Sequence, residues 1–194
     1  MRSGYTYLLL GLIALILTGC PPLCEYKLIE YGTLSDEAIN CSPYLDGQSY
    51  SFIHSEGQEV SFLASRTREM QTDYYDECTE VRSESDLSIL TPDYPIFSCN
   101  VGIRKSDTTQ YSCLIWAGGS SFWLPFTIQI DFGHTYFDSI QIGQNWYREV
   151  YKIGNNWRDG IPEGQILADS IYYNTSHGIL KILMSNREFY EISN

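Results

Sequence analysis

Basic residues are scarce in this chain: 12 Lys and Arg stand against 24 Asp and Glu over 194 residues, a formal charge of −12. That imbalance excludes a nucleic-acid binder, which needs a positive surface to displace counterions, and it opposes adhesion to anionic head groups. Long apolar runs are missing as well. Residues 8–17 (LLLGLIALIL) are apolar throughout, but a membrane-crossing helix requires about 20 such residues. Three histidines occur, with no His-x-His or His-Glu-x-x-His spacing to present zinc ligands on one element. No stretch sustains helical periodicity, and neither a solenoid repeat nor a low-complexity tract is present. Charged residues make up only 19 % and aromatics 14 %, the balance of a chain that buries a core rather than a disordered one.

What is present begins with a positive residue, Arg2, ahead of the apolar run, and the run ends in Leu17-Thr18-Gly19-Cys20 followed by Pro21-Pro22. The run has the length of the apolar region of an export signal, and small residues before a cut site give the peptidase room. Leu17-Thr18-Gly19-Cys20 closely resembles the lipobox of bacterial lipoproteins. The resemblance implies that Cys20 receives a diacylglycerol on sulfur, that residues 1–19 are removed, and that the new amine is acylated. A thiol is the only nucleophile there able to carry the lipid. Each buried CH₂ contributes about 0.8 kcal/mol, so several acyl chains hold firmly where one holds marginally. Pro21-Pro22 then makes a stiff stem.

The same resemblance bears on sorting. Pro21 stands where inner-membrane lipoproteins of enteric bacteria carry an aspartate, and residues 21–25 lack the acidic pair of a surface-export tag. An outer-membrane lipoprotein facing the periplasm is therefore implied. Residues 1–19 carry one charge, Arg2, so 175 residues remain with 11 basic and 24 acidic side chains, a formal charge of −13. That length suits one domain with its own core. The expected organisation is a signal at 1–19, lipidated Cys20 and stem at 20–33, and a single β-rich domain at 34–194.

Sixteen tyrosines, with many Ile, Phe and Thr, favour strands. Ser35-Asp36-Glu37-Ala38 reads as one capped helical turn, with a serine N-cap and acids in the first turn. Alternation predicts strands at 49–54 and 58–64 around the turn Ser55-Glu56-Gly57, and Met70 to Asp86 reads as an irregular, acid-rich passage in which part continues a strand through Tyr74 and Tyr75 and much of the rest is exposed loop. A hairpin is expected over 96–116, centred on Ser106, and further strands at 124–132, 135–142, 146–153, 170–173, 178–184 and 188–192. Centring the last turn on Asn186 pairs Leu180 with Ile192 and Ile182 with Tyr190. Short polar turns without crossover helices imply an all-β antiparallel meander closing into a barrel or strongly curved sheet, with a two-sheet sandwich as the alternative.

Cysteine placement adds a further expectation. After Cys20, five cysteines remain, and in an oxidising periplasm they read as disulfides. If Cys99 faces Cys113 across a hairpin centred on Ser106, then Phe97, Val101 and Ile103 meet Ile115, Tyr111 and Thr109, giving one nearly apolar face; a one-residue slip would turn that set outward. Cys99–Cys113 is thus one expected bridge, and Cys41–Cys78 the second by elimination. Cys24 is left free, paired with another molecule, or substituting for one of these.

Catalytic signatures are lacking. His54, His134 and His177 read as surface turn residues. Asp73, Asp76, Glu77 and Glu80 form an acidic run without the glycine and alternating ligands of a calcium loop. Ser120 and Ser121 follow glycines, but neither the second glycine nor the helix of a nucleophile elbow is there. Trp116, Trp123, Trp146 and Trp157, with the tyrosines, suit either core positions or a ligand-stacking surface. No cofactor or metal is expected.

Two longer stretches, PYLDGQSYSFIHSEGQEVSF (residues 43–62) and DSIYYNTSHGILKILMSNREFYEI (169–192), resemble small lipoproteins of Bacteroidota without an assigned function; the likeness implies shared fold far more than shared chemistry. Three functional readings follow: a non-enzymatic envelope lipoprotein that contacts another envelope protein, a carrier of a small apolar ligand or lipid inside the sheet, and a hydrolase whose site is assembled by folding.

Overall fold

The computed structural model describes residues 24–94, 96–125, 133–155 and 164–193. The lipobox-like stretch Leu17-Thr18-Gly19-Cys20 and the expected strand core Phe126, Ile128, Ile130 and Phe132 lie outside the described residues, as does Trp157.

One sheet dominates, as the alternating pattern requires. Its strands are β1 (Lys27–Gly32), β2 (Ser49–His54), β3 (Glu59–Asp76), β4 (Thr79–Pro92), β5 (Cys99–Lys105), β6 (Tyr111–Ala117), β7 (Ser120–Leu124), β8 (His134–Ile142), β9 (Asn145–Gly154), β10 (Ala168–Asn174), β11 (Gly178–Met184) and β12 (Phe189–Ile192). The spatial order is β7-β6-β5-β4-β3-β2-β12-β11-β10-β9-β8, antiparallel at every step, with β1 added in parallel to β4. The sheet curls into a half-barrel. Its two ends approach where the Ala168 N–H donates to the Gly118 carbonyl at 2.9 Å. The ladder is irregular beside Tyr172 and, at the tip of the β3–β4 hairpin, beside Asp76, and Glu149 on β9 has a φ of 54°. Among the described residues the strands form one sheet and not a sandwich of two.

The concave side is filled. Residues 34–44 leave the sheet as a short plug whose one helical turn, α1 (Asp36–Ile39), is capped by Ser35 accepting from the Ala38 N–H at 3.3 Å. Leu34, Ala38, Cys41 and Tyr44 join Phe62, Leu90, Ile103, Ile115, Phe122 and Ile171 in the core. The plug is tied in by polar contacts that its own backbone requires. Arg66 on β3 donates from Nε and Nη2 to the two oxygens of Asp86 at 2.8 and 2.7 Å, and from Nη1 and Nη2 to the carbonyls of Ser42, Tyr44 and Ile39 at 3.1, 3.0 and 2.9 Å. All five guanidinium donors are thereby used. Tyr173 donates to the Cys41 carbonyl, and the Ser42 and Ser88 hydroxyls lie 2.9 Å apart.

Three expectations are corrected. The cysteine pairing differs: Cys24 and Cys78 form the disulfide, with Cα atoms 5.9 Å apart, while Cys41, Cys99 and Cys113 are buried thiols. The register explains why. Cys99 pairs with Ala117 and Cys113 with Ile103, because Asp107 builds the turn by accepting from the N–H groups of Thr109 and Gln110 at 2.6 and 2.7 Å and so recentres the hairpin on Thr108. Each partner moves by four residues, an even number, so the apolar face stays inward although the cysteines part. Second, residues 70–86 are not loop: β3 runs to Asp76, turns through Glu77-Cys78 and returns as β4. Third, part of the expected stem is structured, since β1 lies within it.

Candidate functional site

The residues singled out for chemistry do not converge. His54 sits 3.6 Å from Glu188 and packs on the Tyr190 ring; His134 and His177 lie beside Tyr151 and Tyr147 on other strands. Among the described residues no group of three or more His, Cys, Asp or Glu is placed to hold a metal ion. The acidic run is divided among separate tasks. Asp73 pairs with Arg104, Asp76 caps the turn by accepting from the Cys78 N–H at 2.8 Å, and Glu80 accepts from Tyr26 and, at 2.8 Å, from Arg82. The hydrogen bond from Tyr26, helped by Arg82, holds the Glu80 carboxyl below its ordinary value.

Ser120 is a staple: its hydroxyl donates to the Ala168 carbonyl at 2.7 Å and accepts from Asn155 at 2.9 Å, fastening β7 to β10. Ser121 lies, with Trp116, Asn100 and Ser98, in an open depression of about 390 Å³. Larger, at about 510 Å³, is a second open depression lined by Tyr50, Gln48, Glu59 and His177. Both are surface features, outside the packed concave face.

The feature with most unspent binding capacity is the β3–β4 hairpin. Its first part belongs to the sheet, with Val60, Phe62 and Ala64 inward. Past Ala64 the ribbon outruns the core, and β3 is exposed at almost every residue to Asp76. One edge of this ribbon is doubly covered, because β4 pairs with β1 over residues 79–83 and with β5 over 85–90. The other edge is open. β2 pairs with β3 no further than Leu63; Ala64 then exchanges main-chain bonds with Gly47 and Gln48, and the Arg66 N–H finds Asp46 at 3.0 Å. Those contacts fix the alternation: even-numbered residues of β3 aim N–H and C=O at this edge. Beyond Arg66, at Arg68, Met70, Thr72 and Tyr74, no strand lies alongside among the described residues.

Protein edges of this length are normally blunted by proline, unpaired charge or bulges. Here no proline occurs, the only charge among those four residues is on Arg68, which faces Glu84 at 3.8 Å, and the ladder irregularity comes only at the tip. Sequence reading missed the edge because β3 past Ala64 buries no residue and so has no apolar face to alternate; its one signal was Thr, Tyr and Met within an acidic stretch.

At the tip the Cys24–Cys78 disulfide binds the turn to the start of β1. The three other thiols are chemically quiet. Burial pushes the ionisation of Cys99 and Cys113 well up; burial also raises Cys41, partly opposed by its hydrogen bond with Tyr111 at 3.3 Å.

Comparison with protein families, with curated proteins and with solved structures finds no match for this chain.

Proposed function

We propose that this chain is a lipid-anchored protein of the bacterial envelope, tethered through Cys20 in the outer membrane and facing the periplasm, whose non-enzymatic β domain binds another envelope protein. The open edge of β3 carries the reading: at Arg68, Met70, Thr72 and Tyr74 the main chain offers donors and acceptors in strand geometry, the arrangement to which an extended partner segment adds as a further strand. The lipobox resemblance supports the anchor, and a disulfide between Cys24 and Cys78 suits an oxidising compartment. A carrier of an apolar ligand needs interior room, whereas the described interior holds Tyr44, Phe62, Phe122 and Tyr173 at full burial.

A photoreactive amino acid in place of Met70, introduced in the native host, tests the interaction. One discrete adduct is expected from this position and none from Tyr136 on the mostly exposed β8. Thr72→Pro should abolish the adduct without unfolding the domain, because the Thr72 N–H points away from β4 and proline there removes no ladder bond. No adduct at Met70, or one that survives Thr72→Pro, would refute the edge as the binding site. The anchor is tested by Cys20→Ser, which should end incorporation of labelled fatty acid.

A further inference from the structure

The disulfide joins two features that the chain otherwise keeps apart, the lipid-bearing stem and the tip of the longest hairpin. Cys20 precedes Cys24 by four residues, which span at most about 14 Å when fully extended. Cys24 is bonded to Cys78 in the tip turn, and β1 continues alongside β4 from Lys27 opposite Thr79. The tip is therefore the part of the described domain that a lipid on Cys20 would hold closest to the bilayer.

Its side chains suit that position. Tyr74 and Tyr75 are 75 % and 84 % exposed, and Tyr26 is 61 % exposed. Tyr74 pairs in register with Glu80, the residue that accepts the Tyr26 hydroxyl, so Tyr26 and Tyr74 are held at one level of the ribbon. Tyrosines concentrate at membrane–water interfaces because the ring enters the apolar boundary while the hydroxyl stays hydrated. Glu25, Asp76 and Glu77 outnumber Lys27 around them, which opposes an anionic surface and favours zwitterionic head groups.

We propose that the β3–β4 tip docks on zwitterionic lipid head groups of the anchoring membrane through Tyr26, Tyr74 and Tyr75, so that the domain stands on this tip and its open β3 edge rises from the bilayer. This rests on lipidation at Cys20.

The test uses the lipidated protein in vesicles of phosphatidylcholine and phosphatidylethanolamine containing a nitroxide-labelled lipid. A fluorophore is placed on Tyr75→Cys, or on Tyr94→Cys beyond the other end of β4; burial keeps Cys41, Cys99 and Cys113 from reacting. Most of the emission at position 75 should be quenched and that at position 94 retained. Adding Tyr26→Ser and Tyr74→Ser should return the emission at position 75 while the protein still floats with the vesicles. Vesicle-bound protein with equal quenching at both positions, or quenching at 75 unaffected by the tyrosine substitutions, would overturn the docking. Protein that lacks the acyl mass and fails to float would instead refute the anchor.

Discussion

The hydroxyl end of the Tyr44 ring abuts Gly178, so close that a Cβ on that glycine would overlap both the hydroxyl and the ring carbon that bears it. The same hydroxyl accepts the buried Ile179 N–H at 2.7 Å. One contact thus fixes the end of the plug to the start of β11, across 134 residues of sequence, and explains why the interior is solid at that point.

Gly178→Ala should accordingly be among the most destabilising single-methyl additions in the domain. Gly178 has φ 80°, where a side chain costs about 1–2 kcal/mol, and the displaced tyrosine adds about 1–3 kcal/mol of overpacking. Tyr44→Phe keeps the ring and leaves the Ile179 N–H unpaired, at about 1–3 kcal/mol. Urea unfolding should place both variants below the parent, with an unchanged slope.

Arg66 should resist replacement even by lysine. An ammonium has three donors and no fork, whereas Asp86 and the carbonyls of Ile39, Ser42 and Tyr44 together take five bonds from the guanidinium. Asp86 is 2 % exposed, so Arg66→Met leaves a buried charge unpartnered and should cost about 3–5 kcal/mol. Arg66→Lys should lose more than half of that. Thermal unfolding of the two variants decides the point; a lysine variant as stable as the parent would show that the fork geometry is immaterial.

Where local chemistry and burial agree, the fold is legible from sequence. The Ser35 cap, the limits of β2 and β11, and the pairing of Ile182 with Tyr190 are read directly, since each rests on a capping side chain or on strict alternation over one core. Legibility fails for three physical reasons. The Asp107 turn is a matter of side-chain hydrogen bonding and sets register without altering polarity. In the outer half of the β3–β4 ribbon, β3 buries no residue past Ala64. β4 buries Ser83 on one face and Asp86 and Ser88 on the other, polar because they meet Arg104, Arg66 and Ser42 of other segments, and no one-dimensional pattern foretells such partners. The candidate site lies within the second of these, which is why alternation alone does not mark it as a strand.

The buried thiols yield a count and a pH dependence. Among the described residues, native protein should expose no reactive thiol at neutral pH, and denaturation without reductant should expose the three of Cys41, Cys99 and Cys113. Below about pH 8.5 these groups are protonated in both states and cost nothing. Above it the unfolded chain ionises while burial keeps the folded thiols neutral, so stability falls as pH rises, by about 1.4 kcal/mol per pH unit for each such group. Tyr44 and Tyr173, also raised by burial, steepen the loss beyond the ordinary tyrosine range near pH 10. Denaturant midpoints at pH 7 and pH 10 measure it; equal midpoints would mean that the thiols are not desolvated.

Cys24–Cys78 should act locally more than globally. Closing a loop between residues 54 apart corresponds to about 4 kcal/mol by the chain-entropy argument, but only if the whole loop is released on unfolding. Of the elements beyond the bond, β1 depends on it most: the strand lies at the chain's described start, half exposed, and pairs only with β4. Replacing both cysteines by serine should therefore let β1 open while the plug and the β10–β11 pair stay shut. Hydrogen exchange reads this residue by residue, with protection expected to drop across Lys27–Gly32 and the facing residues 79–83 and to hold at Ile171, Ile179 and Ile182. Uniform loss across the sheet would make the bridge a global constraint instead, and unchanged protection in β1 would show that its ladder with β4 is sufficient alone.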